Sequence, residues 1–186
     1  MNTPTAVASF VFAFVIVLII GAVIRRMLRG WRHRAQRQAE LVGEAPAMPD
    51  LLGAATVAPT RGLYLGSTLV SPNALREQGE SPDWLERIAV GDWGHRSKAV
   101  LTRYPEGILL ERSGATPIWI PQDALSAIRT VRALAGKVIP GRNPAKPESS
   151  GGILAIRWRL PSGTEIDTGF RGDDRRDYVR WTGEAA

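Results

Sequence analysis

The chain has 186 residues, with 24 Lys and Arg against 18 Asp and Glu, a net charge of +6 and no cysteine. The lack of cysteine excludes disulfides, thiolate metal sites, thiol nucleophiles and lipidation on sulfur. The positive charge does not point to nucleic acid: six arginines lie within residues 25–37, no acidic residue precedes Glu40, and the remainder carries 18 residues of each sign. A nucleic-acid-binding domain needs its basic patch on the folded part, so no nucleic-acid partner is expected.

Residues 6–24 carry no charge, and thirteen of them are Leu, Ile, Val or Phe. As a helix they span about 28 Å, close to the roughly 30 Å hydrocarbon core. Their side chains favour insertion by roughly 4 to 8 kcal/mol. The rival reading is a cleavable signal peptide. It is disfavoured because no Lys or Arg precedes Arg25, the apolar run is long, and Arg25-Arg26 stand where small cleavage residues belong. A single retained span with the lipid bilayer as its partner is expected.

Positive flanks stay in the cytoplasm. Arg25, Arg26, Arg29, Arg32, Arg34 and Arg37 all follow the span. Residues 1–5 are therefore expected outside, and everything after the span at the cytoplasmic face of the inner (plasma) membrane. The same arginines are membrane-interface residues, and on a second reading they attract anionic headgroups at about 1 kcal/mol each. Trp31 is either an interfacial anchor or an exposed ring on a helix.

Residues 25–41 read as an arginine-rich continuation of the helix. Residues 42–60 hold Gly43, Pro46, Pro49, Gly53 and Pro59 without periodicity and read as a flexible linker. A folded domain is expected over residues 61–186, long enough for one core. Its strand signals fall at 63–70, 97–103, 108–112 and 116–120, with a long loop or short helix over 71–81. Residues 85–90 are a strand or a helical turn. Residues 123–135 stay ambiguous between a helical stripe and a β-branched strand, and 136–152 read as an exposed loop.

The last hairpin is the sharpest unit. Leu154, Ile156, Trp158 and Leu160 share one face of its first strand, and Ala155, Arg157 and Arg159 the other. Pro161-Ser162-Gly163 suits a turn with Gly163 left-handed. That register pairs Arg159 with Glu165, Trp158 with Ile166 and Arg157 with Asp167, with opposite charges facing each other on the wet side. Asp173 or Asp174 caps a short helix from Arg175 to Thr182, on which Tyr178, Val179 and Trp181 form one face.

About seven antiparallel strands, a final hairpin and a C-terminal helix resemble a pleckstrin-homology-like (PH-like) domain. The run Ile118-Trp119-Ile120-Pro121 followed by Leu125-Ser126-Ala127-Ile128 resembles a pattern of the bacterial members. The span, basic flank, linker and domain together resemble a family of actinobacterial single-pass membrane proteins often encoded among pyrimidine-biosynthesis genes. The resemblance implies a mainly β fold, a PH-like barrel or sandwich closed by a C-terminal helix, and no reaction. Phosphoinositide-binding members carry clustered basic residues in the first strand–strand loop. Here residues 71–84 hold only Arg76 against Glu77, Glu80 and Asp83.

No catalytic, cofactor or metal residues are assigned. One histidine of interest exists, His95, which with Asp92 and Ser97 or Ser67 makes a triad on paper. A lone turn histidine is the ordinary outcome for such a pattern. The expected function is a non-catalytic, membrane-anchored interaction or scaffold module with a protein partner. Trp84, Trp93 or Trp119, where exposed, are its candidate contacts, although core packing is the commoner role for each. The alternative is a small-molecule or lipid sensor, or an enzyme centred on His95.

Overall fold

The alternation in the last hairpin produces a buried seam, and the rest of the sheet grows outward from it. The computed structural model describes residues 3–70, 87–138 and 152–183; in the N-terminal helix, the side chains of residues 3–8, 31–35 and 37 lie outside the description. That helix, α1, is unbroken from Thr3 to Val42. Its segment Ser9–Gly30 is apolar enough to cross a membrane, and none of it is buried in the protein.

Seven strands form one antiparallel sheet in the order β4-β3-β2-β1-β9-β8-β5. They are β1 Val57–Leu69, β2 Ser97–Tyr104, β3 Gly107–Arg112, β4 Ile118–Pro121, β5 Leu125–Val131, β8 Ile153–Arg159 and β9 Glu165–Gly172. A two-stranded hairpin, β6 Ala133–Leu134 and β7 Lys137–Val138, forms its own hydrogen-bonded ladder. The expected mainly β sandwich with a closing C-terminal helix is what the chain adopts. Within the ambiguous residues 123–135, Leu125–Val131 and Ala133–Leu134 resolve as strand, in line with their β-branched content.

The long strand β1 makes the bend of the sandwich. Its first half pairs with β2, and its second half with β9. The two ladders overlap at residues 62–64, and a bulge follows between Tyr64 and Gly66. Bulges bend and twist a strand. Gly66, at φ 124°, sits there in a conformation that side chains rarely adopt.

The hairpin β8–β9 has the expected register: Arg159 faces Glu165, Trp158 faces Ile166 and Arg157 faces Asp167. Gly163 is left-handed at φ 86° and its N–H returns to the Leu160 carbonyl at 2.8 Å. Inward residues Leu154, Ile156, Trp158, Leu160, Ile166 and Phe170 join the main core. The other face corrects the expectation of a wet side. Ala155 is 0% exposed and packs with Leu65, Leu134, Ala135 and Ile153 in a second core beneath β6–β7. The covering hairpin rests where Gly66 pairs with Gly169. A Cβ on Gly169 would lie 2.3 Å from Leu134 Cδ2, so the close approach needs that glycine.

The first strand starts at Val57, inside the stretch read as linker. The preceding residues touch the domain: the Gly53 N–H reaches the Glu106 carboxylate at 3.1 and 3.2 Å, and Val42 is 1% exposed. At the other end Asp174 caps a 3-10 turn, Arg175–Asp177, through the Arg176 N–H, and α2, Tyr178–Thr182, follows. Tyr178 and Trp181 are buried while Val179 is 42% exposed, so Val179 is not part of their face. The loop expected over 71–81, Trp84, and residues 139–151 of the second loop lie outside the described residues.

Candidate functional site

The hairpin β6–β7 packs over Leu65, Ile153 and Ala155 of the sheet, whereas Arg61, Leu63, Lys98 and Glu111 on β1, β2 and β3 are exposed among the described residues. Across these three strands the ladder sets Arg61 beside Val100 and Val100 beside Glu111. The neighbouring row sets Leu63 beside Lys98, whose carbonyl accepts the Ser113 N–H at 2.8 Å. These residues, with Asp173, line a cleft of about 680 Å³. Leu63 is 40% exposed. Among the described residues none of Arg61, Lys98, Glu111 and Asp173 forms an ion pair. The cleft thus carries the exposed Leu63 on its floor and two charges of each sign along its edge.

The wall behind this cleft is stiffened by a buried arginine. Arg112, its side chain 0% exposed, donates to Asp92 Oδ1 at 2.6 Å, to the Asp92 carbonyl at 3.0 Å and to the Thr116 carbonyl at 2.8 Å. Its guanidinium also lies 4.9 Å from the Tyr64 ring centroid. Burial pushes the Asp92 carboxyl up, but hydrogen bonds from the Thr116 N–H and Arg112 outweigh it and hold the group below the usual carboxylate range. Asp92 is therefore an ionised clamp between the 91–94 turn and the end of β3.

A directed hydrogen-bond chain runs through the core beside it. Trp158 donates to Thr168 at 2.9 Å, Thr168 and Ser67 lie 3.0 Å apart, Ser67 and Tyr64 3.1 Å, and Tyr64 donates to the Trp93 carbonyl at 2.6 Å. The Tyr64 proton goes to the carbonyl, so its oxygen accepts from Ser67, and Ser67 then accepts from Thr168. The Trp93 ring stacks back on Trp158 at 5.9 Å, which closes the circuit. Burial pushes the Tyr64 phenol up to about 12, so it stays a neutral donor.

The paper triad is not assembled. His95 is exposed, Asp92 is spent on Arg112 and Thr116, and Ser67 belongs to the core chain. Ser97 Oγ is buried without a hydrogen-bond partner. No group of three or more His, Cys, Asp or Glu able to hold a metal occurs among the described residues. Trp93 and Trp119 are 8% and 4% exposed, so both take the core-packing role and neither is a surface contact. Arg25, Arg26 and Arg29 are exposed on α1; Trp31, Arg32, Arg34 and Arg37 stand on the same helix with side chains outside the described residues.

Arg61, Leu63, Lys98 and Glu111 were not singled out by sequence reasoning. Their signal was the alternation of β1 and β2, which places Leu63 opposite the buried Tyr64. No curated protein matches the chain. Seven antiparallel strands bent at β1 and closed by a C-terminal helix are the expected PH-like arrangement. The family model described as Bacterial PH domain-like matches residues 42–186, well over half of the sequence, and the chain belongs to that family.

Proposed function

We propose that the chain is a non-catalytic interaction or scaffold module that α1 anchors in the plasma membrane and presents at the cytoplasmic face. One observation carries the reading: the apolar stretch Ser9–Gly30 is continuous with a helix whose far end packs into the PH-like domain. A cleaved leader has no use for such a seat, which supports a retained anchor. The arginines after the span support the cytoplasmic orientation. The whole arrangement accords with the actinobacterial single-pass proteins that the sequence resembles. The interaction surface of this proposal is the open β1–β2–β3 cleft, and its partner a protein segment with charges of both signs.

The test is crosslinking in intact cells with the full chain, comparing wild type with Arg61→Glu/Lys98→Glu. Both side chains are exposed, so the fold is expected to survive. A discrete protein that crosslinks to wild type and falls at least tenfold with the variant is the expected result. Equal recovery with both chains overturns the cleft as the contact surface. In the same cells, carbonate extraction should leave the chain in the membrane. A cysteine at Gln122 should react with an impermeant maleimide only after lysis, and reaction in intact cells would reverse the orientation.

A further inference from the structure

The end of α1 is built into the sandwich. Gln38 is 3% exposed, and its side-chain amide reads the backbone of the 87–89 segment much as a neighbouring strand would. Its Oε1 accepts the Ala89 N–H at 2.8 Å, and its Nε2 donates to the Arg87 carbonyl at 3.4 Å. Val42, four residues on and so on the same helix face, is 1% exposed and belongs to the main core with Ile88, Trp93 and Leu160. The Leu41 carbonyl, one of those a helix end leaves open, accepts from Ser162 Oγ at 2.5 Å. Gly43 then ends the helix at φ 62° with its N–H on the Ala39 carbonyl at 2.9 Å. The flanking Gln36, Ala39, Glu40 and Leu41 are exposed, so a single stripe docks.

We infer that Gln38 and Val42 are a two-point latch that makes the membrane helix and the β sandwich one rigid body, so that a rotation or tilt of the span turns the domain with it. The inference rests on the anchored reading above. Its consequence is positional. Gln38 lies eight residues beyond Gly30, about 12 Å along a helix, so the latched segment is held at a fixed height close to the bilayer. That segment continues into the 91–94 turn, where Asp92 holds Arg112 and Thr116 and where Trp93 stacks on Trp158. A force that turns the span, such as a second membrane helix packing on it, is therefore delivered to the wall of the β1–β2–β3 cleft. A flexible linker over residues 42–60 would instead leave the domain free over a range of about 25 Å.

The chain has no cysteine, so two introduced ones report unambiguously. The experiment is pulsed electron–electron distance measurement between spin labels at Gln36→Cys and Gln122→Cys, both exposed, on the full chain in lipid nanodiscs. One narrow distance peak is expected. Gln38→Ala and Val42→Ser should each broaden it severalfold. Gln38→Ala removes the amide and its two hydrogen bonds but no member of the hydrophobic core, so it keeps the test alive if Val42→Ser unfolds the domain. A broad distribution in the parent chain overturns the latch, as does a narrow one unchanged by Gln38→Ala. Loss of membrane retention on carbonate extraction would instead sink the anchored reading. The same distances measured in detergent would still decide the latch.

Discussion

Replacing Trp158 by alanine should lower the thermal midpoint of the full chain in detergent by about 10 to 20 °C, from a loss of about 3 to 5 kcal/mol. Trp158 is 0% exposed at the centre of the main core. Its removal opens a cavity where three features meet: the inward row of β8, the stacked ring of Trp93 at 5.9 Å, and the Thr168 hydroxyl 2.9 Å from the indole nitrogen. The polar part adds to the apolar part. Thr168 passes its own proton toward Ser67, so without the indole N–H its oxygen loses the donor it accepts from, in a place water does not reach. A Trp158→Phe chain separates the two. It refills much of the volume and should lose about 1 to 3 kcal/mol, mainly from the unmet hydroxyl and the smaller ring. A shift of only a few degrees for Trp158→Ala, followed by near-ultraviolet circular dichroism, would show that the core closes over the gap and that the seam is not its centre.

The same hairpin shows how far the amino-acid order alone specifies this fold. Period-two alternation with opposite charges across the strands leaves one register for β8–β9, and the chain adopts it. Alternation cannot say what covers an outer face. Ala155 alternates with Ile156 in either case, and a small apolar residue among arginines reads as tolerated exposure; only the return of Leu134 and Ala135 over Gly66 and Gly169 buries it. The latch was hidden for a similar reason. Gln38 looks like surface polarity on a polar helix, and its partners, the backbone groups at 87 and 89, are 49 and 51 residues away. Hydrogen bonds to backbone leave no complementary side chain to find. The cleft falls between these cases: Arg61, Leu63, Lys98 and Glu111 lie on strands that pattern finds, but their convergence depends on which strands pair in the sheet.

Asp167→Asn is expected to cost about 2 to 4 kcal/mol at neutral pH, within the range for breaking a buried pair once solvent screening is allowed for. Asp167 lies on β9 and is 7% exposed. One carboxylate holds two guanidinium groups: Arg129 of β5 at 3.1 and 2.6 Å, and Arg157 of β8 at 3.1 and 2.9 Å. It thereby ties together three strands that neighbour one another in the sheet. The amide keeps the shape but leaves the two cations facing each other. Burial pushes the Asp167 carboxyl up, and hydrogen bonds from Arg157 and Arg129 outweigh that and hold it below the ordinary carboxylate value. A depressed native value means that the unfolded chain binds more protons as the solution is acidified. The stabilisation is therefore complete above the unfolded value of about 3.9 and drains away as pH falls below it, through the native value. Asp92 is depressed in the same direction, so wild type alone cannot assign the acid loss. The stability of the Asp167→Asn chain, subtracted from that of wild type at each pH, can. The difference should be flat from pH 5 to 8 and shrink toward zero at lower pH. A difference that stays constant down to about pH 2 would mean that the carboxylate does not hold β5, β8 and β9 together by charge.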